Sequence, residues 1–118
     1  MIVPAALSAV TLRPGDDGYL EAAAVYCRTG TPAYVVRVST AQQVSVAIRF
    51  AVDNDLPLAI RSGGHSGQGW STNDGGVVID LRSLDTVDVL DRASGRVYIG
   101  CGATWGASPS LCVPTAWP

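Results

Sequence analysis

The chain contains no lysine, and all eight of its basic residues are arginine. A Walker-type phosphate loop and Schiff-base chemistry both need a lysine, so both are excluded. His65 is the single histidine, which rules out paired-histidine metal motifs such as H-E-x-x-H. Cys27, Cys101 and Cys112 form no C-x-x-C pair, so neither a zinc site nor a thioredoxin-like motif is indicated. No metal site is expected. An odd cysteine count is poor support for a disulfide framework, and a reduced, cytoplasmic setting is the expectation.

Charge is also scarce. Charged residues make up 15% of the chain, against a usual ~25%. The net charge is −2, with no clustered basic stripe, which argues against a nucleic-acid partner. No apolar run approaches the ~20 residues of a membrane span, so no membrane partner is expected. Met1–Leu12 is apolar but has no basic region before it and no clear cleavage site after it. It reads as an ordinary N-terminal segment, not a signal peptide. Hydrophobic residues at 47% argue against disorder, and 118 residues is one domain's length at most.

Glycine is what the chain has in excess. Thirteen of 118 residues is ~11%, against a usual ~7%. Ten of the thirteen fall between Gly63 and Gly106.

Local patterns suggest an α+β chain. Arg13-Pro-Gly-Asp-Asp-Gly18 is a turn cluster. Tyr19–Arg28 reads as a short alanine-rich helix, ended by Thr29-Gly-Thr-Pro32. Tyr34–Val38 is a β-branched strand. Thr40 and Gln43 form a capping box, and Val44, Ala47, Ile48 and Ala51 recur on one helical face. That helix should end near Asn54, because Pro57 biases Leu56 away from helical angles. Leu58–Arg61 is a second strand, which makes a βαβ unit with parallel strands. Val77–Leu81 is apolar enough to be buried on both faces. Val87–Leu90 and Arg96–Gly100 flank a turn and predict a hairpin. A parallel start is thus followed by an antiparallel continuation.

The stretch Arg61-Ser-Gly-Gly-His-Ser-Gly-Gln-Gly-Trp70 follows a strand directly. Gly63, Gly64, Gly67 and Gly69 can take positive φ without Cβ strain. Such a backbone can point successive N–H groups into one concavity, which holds an anion without lysine. Arg61 and Ser62 could add donors at the edge. The Rossmann fingerprint is absent, since Gly67-Gln-Gly69 lacks its third glycine and no helix pattern follows. A glycine-rich loop also serves as a plain tight turn, and spacing alone leaves both readings open. His65 is either a solvent-facing polar residue or, among neighbours of little bulk, an imidazole able to approach a ligand closely.

The blocks Arg61-Ser-Gly-Gly-His-Ser66, Asp74-Gly-Gly-Val-Val-Ile-Asp-Leu81 and Gly102-Ala-Thr-Trp-Gly106 occur in this order and spacing in one family. With Pro32–Val38 and Ala41-Gln-Gln-Val44, the chain resembles the FAD-linked oxidases of the vanillyl-alcohol oxidase superfamily, in their berberine-bridge-enzyme-like branch. The similarity runs from about Gly15 to Gly106. It implies the N-terminal part of a PCMH-type FAD-binding domain, incomplete here, over residues 32–106. Residues 1–31 would then be an N-terminal segment with a short helix, and 107–118 a divergent tail.

The resemblance implies FAD as cofactor, and hydride transfer from a small organic substrate to the flavin. It assigns cofactor contacts to Arg61, Ser62, Gly63, Gly64, His65, Ser66 and Gly69. The loop backbone would wrap the pyrophosphate, with phosphate contacts at Ser62, Gly63, Gly64 and Ser66, and Gly69 would permit close approach. In that family the histidine matching His65 commonly bonds to the flavin 8α-methyl, so His65 is assigned as anchor and not as acid or base. No residue here can be given the catalytic role, because the family's base and substrate pocket lie in a second domain. Trp105 and Cys101 are expected to be packed.

After Gly106 the pattern departs from the family. Pro109 stands where a helix should form, and a truncation or frame change would explain the ending. Cys112-Val-Pro-Thr115 is not assigned to a second flavin bond, because the spacing does not fit. Three readings follow: a portion of an FAD-dependent oxidase, a non-covalent flavoprotein like the UDP-N-acetylenolpyruvoylglucosamine reductases, or a non-catalytic remnant. His65 within Ser-Gly-Gly-His-Ser favours the first.

Overall fold

Thr40 opens the longest helix, α3 (Ala41–Asp53), in the computed structural model, which describes residues 1–106. Its Oγ1 accepts from the Gln43 amide at 3.2 Å, and Gln43 Oε1 accepts from the Ser39 amide at 2.8 Å. The reciprocal bond therefore reaches one residue ahead of the cap. The buried face carries Ala47, Phe50 and Ala51, whereas Ile48 is 39% exposed. Phe50 displaces Ile48 from the expected stripe because its ring meets Tyr34 edge-on, with centroids 5.3 Å apart. The helix ends at Asn54, and Asp55 takes a left-handed φ of 51° just before Leu56-Pro57.

The remaining elements are, in chain order, α1 (Ala5–Ser8), β1 (Thr11–Leu12), α2 (Tyr19–Ala23), β2 (Ala24–Val25), β3 (Arg28–Thr29) and β4 (Tyr34–Arg37) ahead of α3. After it come β5 (Leu58–Arg61), β6 (Val77–Asp80), β7 (Val87–Asp91) and β8 (Arg96–Ile99). The main sheet runs β1-β4-β6-β5. The two strands of the βαβ unit are both parallel to β6, which lies between them. All four residues of β6 are buried, and a central position is where a strand apolar on both faces is covered.

One side of the sheet packs Val36, Val38, Val77 and Ile79 against Ala47, Phe50 and Ala51 of α3. The other packs Val35, Val78 and Ala59 against Tyr19, Ala22 and Ala23 of α2. The N-terminal segment joins this core, since Leu7 is fully buried in the α3-side cluster and β1 pairs antiparallel with β4.

The expected helix over Tyr19–Arg28 is corrected. It stops at Ala23, and β2 and β3 form a small hairpin instead. The cause is tertiary. The Ala23 carbonyl accepts from the Gly30 amide and the Thr72 hydroxyl, while the Tyr26 amide donates to the Gly64 carbonyl at 2.6 Å. Helical propensity yields to partners supplied by distant chain. The β7–β8 hairpin forms as expected, its turn held by Asp91, which accepts from the Ala93 amide and the Ser94 hydroxyl.

Part of the glycine excess proves to be packing. A Cβ at Gly76, Gly100 or Gly102 would strike the backbone carbonyl of Pro57, Leu84 or Leu81 respectively.

Candidate functional site

The glycine loop leaves the carboxyl end of β5, the side of a parallel sheet where ligand crevices form. Of its four glycines, only Gly64 (φ 75°) and Gly69 (φ 73°) take positive φ, so Gly63 and Gly67 do not use the freedom expected of them. The backbone N–H groups of Gly63, Gly64, His65 and Ser66 donate to no acceptor among the described residues. Further along, the loop is tied down. The Ser66 carbonyl accepts from the Gly69 amide at 3.2 Å and from the Cys27 thiol at 3.7 Å, and Ser66 Oγ accepts from the Trp70 amide at 3.2 Å.

These four amides border an open cleft of ≈ 730 Å³. Ser62, Gly63, Gly64, His65 and Ser66 form one wall, Ala103, Thr104, Trp105 and Gly106 face them, and Ser71 completes the lining. His65 is exposed, and its ring folds back so that Cδ2 lies 3.1 Å from where a Cβ on Gly63 would sit. Ser62 Oγ–H donates to the Cys101 carbonyl at 2.6 Å and so joins the two walls. Its proton is committed there, whereas the Ser66 hydroxyl serves only as an acceptor.

The structure thus gathers Ser62, Gly63, Gly64, His65 and Ser66 at one cleft and sets Arg61 and Gly69 apart from it. Arg61 is 7% exposed and lies beneath the loop, with Nε donating to the Ala24 carbonyl at 3.0 Å. Burial pushes the Arg61 guanidinium below its ordinary range, and the Asp80 carboxylate acts against that shift. Gly69 packs against Cys27 and Arg28.

Two packing expectations are corrected. Trp105 is 85% exposed on the cleft wall, and Cys101 is exposed, engaged through its carbonyl and not its sulfur. Gly100 and Gly102 hold the chain against Leu84 and Leu81, and the residues between and beyond them turn outward. The block Gly102-Ala-Thr-Trp-Gly106, a second candidate contact in the sequence, supplies the facing wall through Ala103, Thr104, Trp105 and Gly106; sequence reading missed Ser71 as a lining residue and the β2–β3 hairpin as the loop's support, and no local signal marks either. Asp80 was also missed as a charged residue in a buried strand, and there the pattern Ile79-Asp80-Leu81-Arg82 was a usable signal.

Among the described residues, no group of three or more His, Cys, Asp or Glu could hold a metal ion. No helix among them is long and apolar enough to cross a membrane. The readings placed on Pro109, Cys112 and the 107–118 tail lie outside the described residues.

Residues 32–108 match the family described as FAD binding domain. Among curated proteins the chain is similar to (R)-6-hydroxynicotine oxidase of Paenarthrobacter nicotinovorans, 33% identical over 108 residues, covering 90% of this chain and 23% of that protein. Among solved structures, 6-hydroxy-D-nicotine oxidase of Arthrobacter nicotinovorans superposes with a TM-score of 0.73 at 36% identity, over 79% of this chain and 21% of that one. CrmK, a flavoenzyme of caerulomycin biosynthesis, gives a TM-score of 0.76 at 31% identity, over 86% and 21% of the two chains. The chain therefore spans about a fifth of the length of these relatives. With a glycine loop at the carboxyl end of a parallel strand and a match covering most of its described residues, the chain belongs to the FAD binding domain family, the PCMH-type fold of the vanillyl-alcohol oxidase superfamily.

Proposed function

We propose that this chain supplies the pyrophosphate cradle and the flavin anchor of an FAD-dependent oxidoreductase acting on a small organic substrate. The observation that carries the reading is the run of unpaired amides at Gly63, Gly64, His65 and Ser66 along one cleft wall. A run of backbone amides without protein acceptors at an open cleft suits an anion with several oxygens. The residues fit the cofactor. The four amides and the Ser66 hydroxyl would hold the phosphates, and no lysine is needed. His65, exposed beside them, would carry the covalent link to the flavin. FAD, when bound, supplies the two-electron acceptor for substrate oxidation. The facing wall, with Trp105 and Thr104, would border the cofactor. Cys27 and Cys101, both free among the described residues, support a reducing, cytoplasmic setting, and the lack of a basic stripe supports a partner other than nucleic acid.

Titration of FAD into the purified chain, followed by flavin fluorescence, tests the reading. Saturable quenching is the expected result, with weak affinity because the cleft is open on one side. A flat titration up to about 1 mM FAD, the limit of specific binding worth the name, would overturn it.

A further inference from the structure

We propose that Asp80 positions the His65 loop by holding the Arg61 guanidinium beneath it, an inference whose functional meaning rests on reading residues 63–66 as the cradle. Arg37, Asp80 and Arg61 occupy one register row across β4, β6 and β5. A carboxylate that is 1% exposed therefore lies between cations on both neighbouring strands, 3.9 Å from Arg37 Nε and 3.8 Å from Arg61 Nη1. Its hydrogen bonds go elsewhere. Arg82 takes them, with Nη2 at 2.9 Å from Oδ2 and the backbone amide at 3.1 Å from Oδ1, while Glu21 grips Arg82 at 2.7 Å from the far side.

Arg61 Nη1 and Arg37 Nε are buried and have no hydrogen-bond partner among the described residues. The field of Asp80, and not a hydrogen bond to it, is what compensates the Arg61 charge. The other atoms of Arg61 face the loop and its support. Nε binds the Ala24 carbonyl of β2, and Nη2 lies 3.0 Å from the position a Gly64 Cβ would take. Gly64 rests on this planar group and accepts from the Tyr26 amide above it at 2.6 Å. A buried guanidinium that loses its counter-charge is strongly disfavoured. Arg61 would move toward water and displace the segment packed on it, which is the segment that carries the unpaired amides.

Asp80→Asn keeps the shape and removes the charge. Arg61→Lys keeps the charge and removes both the Nε donor and the planar surface under Gly64. Each variant of the full chain is compared with the parent by hydrogen exchange read peptide by peptide, with no cofactor added. The expected result is that the amides whose acceptors lie in the loop, those of Tyr26, Gly69 and Trp70, exchange about tenfold faster relative to those of α3 in both variants. An unchanged loop overturns the proposal, and so does equal acceleration of loop and α3, which marks general loss of stability. Circular dichroism confirms that each variant folds. If Asp80→Asn does not, Asp80→Glu, which keeps the charge but moves the carboxylate out of the register row, decides the matter by the same comparison. Failure of the parent chain to bind FAD would defeat the cradle reading and leave the exchange result standing, so the two failures are separate.

Discussion

The Ser62 hydroxyl donates to the Cys101 carbonyl at 2.6 Å, across 39 positions of sequence. This bond joins the glycine loop to the segment that follows β8, and those two stretches are the opposing walls of the cleft. Ser62→Ala should separate them at a cost of about 1 kcal/mol, the net worth of one hydrogen bond. The check is hydrogen exchange at residues 101–106, which should quicken, with FAD affinity falling less than tenfold.

His65→Ala separates anchoring from binding. The amides of residues 63–66 belong to the backbone and survive the change. Reconstituted parent protein should keep flavin fluorescence in an acid-precipitated band, and His65→Ala should lose it while binding FAD with an affinity within a few-fold of the parent. Acid-stable flavin in the variant would place the link on another residue.

The glycines divide into two classes that substitution can tell apart. Gly64→Ala forces a Cβ onto a residue at φ 75° and 3.0 Å from Arg61 Nη2. Left-handed strain alone costs about 1–2 kcal/mol, and FAD affinity should fall with stability. Gly102→Ala would press on the Leu81 carbonyl, with overpacking worth about 1–3 kcal/mol in urea unfolding and no direct effect on the amide cradle. Gly67→Ala meets open space and needs no positive φ, so it should stay within about 0.5 kcal/mol of the parent.

Acid should weaken the fold partly through Asp74. Thr31 donates its amide at 2.8 Å and its hydroxyl at 2.9 Å to one Asp74 oxygen, and these bonds, backbone first, hold the carboxyl below the usual carboxylate range. A folded-state pKa below the unfolded one stabilises the fold above the unfolded value, and that contribution disappears as pH falls through the folded value. Thermal melts taken from about pH 6 down to about pH 3 should therefore show a shallower decline in Asp74→Asn than in the parent. An identical slope would place the acid sensitivity elsewhere.

Trp105 offers an optical check on the facing wall. At 85% exposure its emission should be that of a solvated indole, and FAD occupying the cleft should quench it. Trp105→Phe should reduce the FAD-dependent quenching, with Trp70 and Trp117 supplying the tryptophan emission that remains.

Much of this arrangement was legible along the chain. Thr40 and Gln43 announce α3, Pro57 limits it, and the β-branched runs at Tyr34–Arg37 and Val77–Asp80 become strands. Each depends on neighbours within a few residues, which is the range over which capping, helical period and β-branching act. The Ser62–Ser66 motif was legible for the same reason, as glycines around the one histidine directly after a strand. Arg61 was misleading because its neighbours in sequence are cleft residues, while its contacts are Ala24 and Asp80. The Tyr19–Arg28 helix was misleading because alanine content says nothing about Gly30, Thr72 and Gly64, which take the backbone groups a helix would have used.

Local pattern, then, decides where α2, α3 and the strands β4 to β8 begin, that the chain is α+β, and that one histidine stands in an amide-rich turn without lysine. Tertiary structure alone decides that β6 enters between β4 and β5, that Asp80 faces Arg37 and Arg61 in one row, and that Trp105 stands outside the core. The reason is physical. Element formation is governed by interactions a few residues apart, whereas strand order, charge pairing and the outward turn of a side chain are settled by which distant groups can satisfy buried hydrogen bonds and compensate buried charge.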